Sequence, residues 1–117
     1  MYEDPEGGRF RIRREMTPAG VTVLTPASTL DFTTAPQLER AITVTGRLPC
    51  TVVDLSEVRF MDSSGINALI RAQRVARTAG GWIRLAGLQD HVSRTAEIAG
   101  LQDVVPVYPD RQAALRR

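Results

Sequence analysis

Thr51-Val52-Val53-Asp54-Leu55-Ser56-Glu57-Val58-Arg59-Phe60-Met61-Asp62-Ser63-Ser64-Gly65-Ile66-Asn67-Ala68-Leu69 is the stretch on which the fold turns. It opens on Thr51 to Leu55, a short run whose Val-rich centre suits a strand buried on both faces. Ser56 to Met61 reads as a connecting loop, and Asp62-Ser63-Ser64-Gly65 opens a helix from about Ser64 to Ala79, stopped by Gly80-Gly81. A buried strand delivering a polar loop to the head of an amphipathic helix is half of a parallel α/β unit.

The chain on either side repeats that alternation. Upstream, Phe10 and Ile12 alternate with arginines, Thr17-Pro18-Ala19-Gly20 is a turn, and Val21 to Thr25 is a second strand, so the chain begins with a hairpin. Thr34 is placed to cap a helix with Pro36 in its first turn and Leu38, Ala41 and Ile42 on its apolar face, ended by Gly46. Downstream follow a strand at Trp82 to Ala86, a helix from about Asp90 to Ala99, a strand at Val104 to Tyr108 and a helix at Asp110 to Arg117. Pattern alone therefore gives an α/β fold: a hairpin leading into a mixed, mostly parallel sheet.

At 117 residues the chain is expected to form one domain, with residues 1–8 as a loose lead-in. Hydrophobic residues make up 43% and charged residues 24%, a globular balance with no run long enough to span a membrane. The acidic, Gly-rich first residues lack the pattern of a secretory signal, and a cytoplasmic protein is the expectation. Cys50 is the single cysteine, so no internal disulfide forms; it reads as a small residue filling space before a strand. All fifteen basic residues are arginine, net charge is +2, and aromatics are 5%. Scattered arginines with few aromatics argue against a nucleic-acid groove.

Enzyme chemistry finds little support. A nucleophile elbow needs Gly-x-Ser-x-Gly and a triad, whereas residue 61 is Met and the one histidine, His91, reads as a solvated first-turn residue. One His and one Cys cannot build a structural zinc shell, and no Gly-rich phosphate loop ending in Lys occurs, so neither metal nor cofactor is expected. A phospho-accepting receiver domain needs a late Lys, and the chain has none. Phe32, Phe60 and Trp82 read as core or cover residues.

Ser63 has two readings. It is a helix cap, whose loss in Ser63→Ala costs about 1 kcal/mol, or it is a charge switch. A phosphate there adds about −1.5 to −2 charges at the positive end of a helix, where orphan backbone N–H groups face it. On the helix that follows, Leu69, Ala72, Val75, Ala76 and Ala79 are the expected core face. That places Ile66 and Ile70 on the other side, as an exposed apolar anchor for a partner or packed under a neighbouring loop.

Val53 to Leu69 resembles the central signature of STAS domains, in particular bacterial anti-sigma factor antagonists, with its strand ending in Asp and its Met-Asp-Ser-Ser-Gly loop. Leu30-Asp31, Ala35-Pro36-Gln37-Leu38, Gly80-Gly81 and Ala99-Gly100-Leu101 fall where that family has comparable features, so the likeness covers nearly the whole chain. It implies a STAS-like domain with helices mainly on one face of the sheet. It also implies a non-enzymatic antagonist that binds a kinase-type anti-sigma factor, frees a sigma factor, and is switched off by phosphorylation of Ser63. A PP2C-type phosphatase then removes the phosphate. The implied partner surface is Asp31, Asp62, Ser64, Gly65, Ile66 and Ile70, with Asp62 shaping the acceptor loop. One departure stands out: the family has Gly-Glu-Leu/Ile-Asp where this chain has Ser28-Thr29-Leu30-Asp31 behind Pro26-Ala27, which is expected to alter a loop beside the acceptor. A constitutive STAS scaffold or accessory, and a small-ligand sensor, remain alternatives in the same fold class.

Overall fold

Strand β2, Thr22–Leu30, is the axis of the sheet in the computed structural model, which describes residues 9–43 and 49–116. Its antiparallel neighbour is β1, Arg11–Met16, with Ile12 opposite Pro26 and Met16 opposite Thr22. On its other side β2 serves two partners in turn. Thr22 to Leu24 run parallel to β3, Cys50–Asp54, and Ser28 to Leu30 run parallel to β4, Val58–Met61. Beyond β3 lie β5, Trp82–Ala86, and β6, Val107–Tyr108, both parallel to it. The mixed, mostly parallel sheet follows the expected plan, with β4 added where a loop was expected.

The long β2 also replaces the loop expected from Pro26 to Thr29. Pro26 sits in the gap between the residues registered with β3 and those registered with β4, so on that side its missing N–H leaves no ladder position empty. The strand then bulges: the register shifts between Ser28 and Thr29, and Ser28 takes φ +96°, a conformation favouring glycine. The likeness drawn from sequence places a glycine here.

Helices α1, Ala35–Thr43, α2, Ser63–Thr78, and α3, Asp90–Ile98, cover one face. Leu24, Leu30, Val53, Ile83 and Leu85 from the strands meet Leu38, Ile66, Leu69, Ala72, Val92 and Ala96 there in one core. On the other face α4, Arg111–Leu115, packs Ala114 and Leu115 against Val23, Val52, Ala86, Trp82 and Tyr108. The last strand is shorter than the Val104 to Tyr108 read from sequence: it spans Val107–Tyr108 alone, and a 3-10 turn at Leu101–Asp103 precedes it. Gly46, the expected end of α1, and the lead-in 1–8 lie outside the described residues.

The face of α2 differs from expectation. Its buried residues are Gly65, Ile66, Ala68, Leu69, Ala72, Gln73 and Ala76, while Val75 is 54% exposed and Ala79 is exposed. The buried stripe includes the polar Gln73. It is buried because its side chain makes backbone bonds: Nε2 donates to Ile83 O at 3.1 Å and Val104 O at 3.3 Å, and Oε1 accepts from Ile83 N at 2.7 Å.

Candidate functional site at the head of α2

Parallel strands β2 and β4 end side by side, at Leu30 and Met61, and each passes directly into a polar turn. The two turns are locked together. Asp62 N donates to Leu30 O at 3.1 Å, and Gly65 lies against the same residue. A Cβ at position 65 would stand 3.0 Å from Leu30 Cβ, 3.1 Å from Leu30 O and 2.8 Å from Met61 Cγ, so close approach requires glycine. Gly65 is thus a buried spacer that lets α2 start against the end of β2.

The cap of α2 is Asp62. Its backbone is extended, and its Oδ1 accepts from Ser64 N at 2.8 Å and Gly65 N at 3.4 Å. Ser63 is the first helical residue and exposed, Ser64 half-buried. This corrects the capping reading of Ser63, and it corrects the expectation that a phosphate there meets unpaired N–H groups: the carboxylate of Asp62 already holds two of them.

The second turn is built around Asp31. Its Oδ1 accepts from Thr33 N at 2.9 Å, Thr34 N at 3.1 Å and Thr34 Oγ1 at 3.2 Å, and its Oδ2 accepts from Thr29 Oγ1 at 3.4 Å. Burial pushes the carboxyl pKa up, but the backbone N–H groups of Thr34 and Thr33 and the hydroxyls of Thr34 and Thr29 outweigh it and hold it below the usual value. Thr34 Oγ1 turns back to Thr29 O at 2.7 Å and accepts from Asp31 N, so it braces the turn and does not cap the N–H groups of α1 as its spacing suggested. Between these anchors Phe32 stands 82% exposed.

Asp31, Asp62, Ser63, Ser64 and Gly65 are therefore brought together where β2 and β4 end. Ile66 is not part of an exposed anchor: it is 5% exposed and belongs to the core beside Met61 and Leu69. Ile70 is half-buried and packs against the same core. Phe32 and Phe60, expected as core or cover, are 82% and 51% exposed, while Trp82 is half-buried on the α4 face. His91 is exposed, as expected, and its ring nitrogen pairs with Arg59 O of β4.

Two features escaped the sequence reading. Arg71 of α2 makes a two-pronged pair with Glu39 of α1, Nη2 to Oε1 at 2.9 Å and Nε to Oε2 at 3.1 Å, tying the two helices that flank the site. The other is Phe32, an apolar residue in a polar turn with no periodic partner. That mismatch was its only signal. Among the described residues no His, Cys, Asp and Glu side chains converge as a metal site, and no helix is long and apolar enough to cross a membrane.

Comparisons with known proteins agree on the fold. A family model of the STAS domain matches residues 16–114. The anti-sigma-B factor antagonist of Listeria monocytogenes is 34% identical over 83 residues, which are 69% of this chain and 73% of that protein. The crystal structure of an anti-sigma factor antagonist from Mycobacterium paratuberculosis superposes with a TM-score of 0.81 at 28% identity, covering 97% of this chain and 96% of that one. SpoIIAA, an anti-sigma factor antagonist solved in its unphosphorylated form, superposes with a TM-score of 0.70 at 19% identity over 89% of this chain and 93% of its own, a likeness of fold.

Proposed function

The chain belongs to the STAS domain family, and from that membership we propose that it is an anti-sigma factor antagonist switched by phosphorylation of Ser63. Unphosphorylated, it binds a kinase-type anti-sigma factor through the head of α2 and so frees a sigma factor. Phosphorylation ends binding, and a PP2C-type phosphatase restores it. The docking surface is formed by Ser63, Ser64 and the exposed part of Ile70, with Asp31, Asp62 and Gly65 setting its shape; Ile66 acts from beneath, through the core.

The observation that carries this reading is the separation of Ser63 from Asp62. A switch residue has to change charge without changing fold. Ser63 is exposed and the capping carboxylate belongs to its neighbour, so esterifying its hydroxyl breaks no cap. The new dianion stands at the positive end of a 16-residue helix, which steadies it. Its oxygens meet an Asp62 already bonded to Ser64 N and Gly65 N, so the charge is displayed outward and not absorbed into the helix end. Affinity then falls by repulsion of acidic or phosphate groups on the partner, with both folds intact.

Incubation with ATP and each kinase-type anti-sigma factor of the source organism, read by intact mass and peptide mapping, tests the assignment. One added phosphate, on Ser63 and absent from Ser63→Ala, is the expected result. Stable binding with Ser63 left unmodified would reduce the chain to a constitutive binding module.

A further inference from the structure

Phe32 is the most conspicuous side chain near Ser63, and the proposed function has no use for it. Its ring is 82% exposed, yet its backbone is held on both sides by the Asp31 cage. Phe32 also shares a cleft with Pro36 of α1 and with Ser64, Asn67 and Arg71 of α2, which puts it on the same rim as the head of α2. An aromatic ring exposed on a braced turn costs little ordering entropy when it is buried by a partner, which is the property of interface anchors.

The surrounding charge points the same way. Residues 29–38 and 61–70 contain only two charged residues, Asp31 and Asp62, in a chain that is 24% charged, and Arg71 at the edge of the cleft is paired with Glu39. Both carboxylates are engaged with backbone N–H groups of their own turns. Depletion of free charge around an aromatic residue is the composition of an interface centre, and it is matched by an apolar, weakly charged patch opposite.

Resting on the antagonist reading above, we infer that Phe32 is the aromatic anchor of the docking surface. It inserts into an apolar pocket on the anti-sigma factor, beside the place where that protein holds its phosphate donor. Affinity and switching then reside in different residues: Phe32 supplies the first and Ser63 the second. A dianion on Ser63 acts strongly because it enters a rim otherwise almost free of unpaired charge.

The test is calorimetric binding of full-length Phe32→Ala and Phe32→Leu to the anti-sigma factor that binds wild type. Ile98→Ala serves as the control, an equally exposed apolar residue (83%) at the far end of α3. Phe32→Ala should bind about 30-fold or more weakly, Phe32→Leu should recover part of the loss, and Ile98→Ala should bind as wild type. Thermal midpoints of all three should match wild type, which separates anchoring from folding. Phosphorylation of Phe32→Ala should show a raised KM with kcat unchanged. Wild-type affinity in Phe32→Ala would overturn the anchor and leave the antagonist reading standing. If wild type bound none of the organism's kinase-type anti-sigma factors, both would fall together.

Discussion

At the head of α2 the capping carboxylate of Asp62 and the exposed hydroxyl of Ser63 are adjacent, and their substitutions should part company. Asp62→Ala removes the acceptor for Ser64 N and Gly65 N and is expected to cost about 1 kcal/mol. Ser63→Ala is expected to stay within about 0.5 kcal/mol of wild type. Urea unfolding of the two variants checks the pair, and the opposite order would return the cap to Ser63. Asp31 makes a prediction in pH. Its folded pKa lies below the ordinary value, so its stabilising contribution is full above about pH 3.9 and is lost as pH falls through the folded pKa. Urea midpoints of wild type should therefore drop more steeply below pH 4 than those of Asp31→Asn. Equal slopes would mean that the cage around Asp31 does not favour its charged form. The acceptor loop was legible at this scale because capping chemistry is local. The assignment of the cap was not, since Asp62 and Ser63 are both good caps and only backbone geometry chooses between them.

Elements were legible where their own periodicity was strong and obscured where a neighbour dictated them. Strand β3 declared itself through Val52 and Val53, but β4 is four residues long with an Arg and an exposed Phe, and it exists because β2 outruns β3 and offers it a ladder. The continuation of β2 through Pro26 was hidden because a proline in a strand is tolerated only where no ladder bond is due, a matter of register. In α2, the predicted stripe ran toward Val75 and Ala79 and left Ile66 exposed on paper; the true face includes the polar Gln73, whose bonds to Ile83 and Val104 explain its burial. The bulge at Ser28 yields a prediction of its own. A non-glycine residue at φ +96° is strained by about 1–2 kcal/mol, while glycine costs about 0.5–1 kcal/mol in chain entropy. Ser28→Gly is therefore expected to raise stability by about 0.5 kcal/mol, seen as a higher thermal midpoint. A lower midpoint would mean that the contact of Arg59 with the Ser28 hydroxyl outweighs the strain.

In the molecule as a whole, the sheet is served by unlike covers. Three helices share the larger core, and α4 alone is pinned to the opposite face by arginines. Arg84 lies 3.8 Å from the Trp82 ring centre and donates to Ala114 O and Arg116 O, both at 2.9 Å. Arg111 bridges Asp54 at 3.0 Å, Glu15 at 2.9 Å and Thr25 Oγ1 at 3.0 Å, joining α4 to β1, β2 and β3. Arg111→Ala leaves the Asp54 carboxylate, 10% exposed, without its ion partner, and is expected to cost about 1–3 kcal/mol in urea unfolding. Binding at the head of α2 should be unchanged, since that surface lies on elements of the other cover; a loss of binding would mean the covers are coupled. The parallel layout was legible because strands and helices alternate through the chain, whereas this network joins residues up to 96 positions apart and has no local signature. Titrating the anti-sigma factor with the phosphorylated and unphosphorylated protein shows whether a charge on Ser63 governs partner affinity on an unchanged fold. The phosphoprotein should bind about 30-fold or more weakly, with the same circular dichroism. Equal affinity of the two forms would contradict the switch at Ser63.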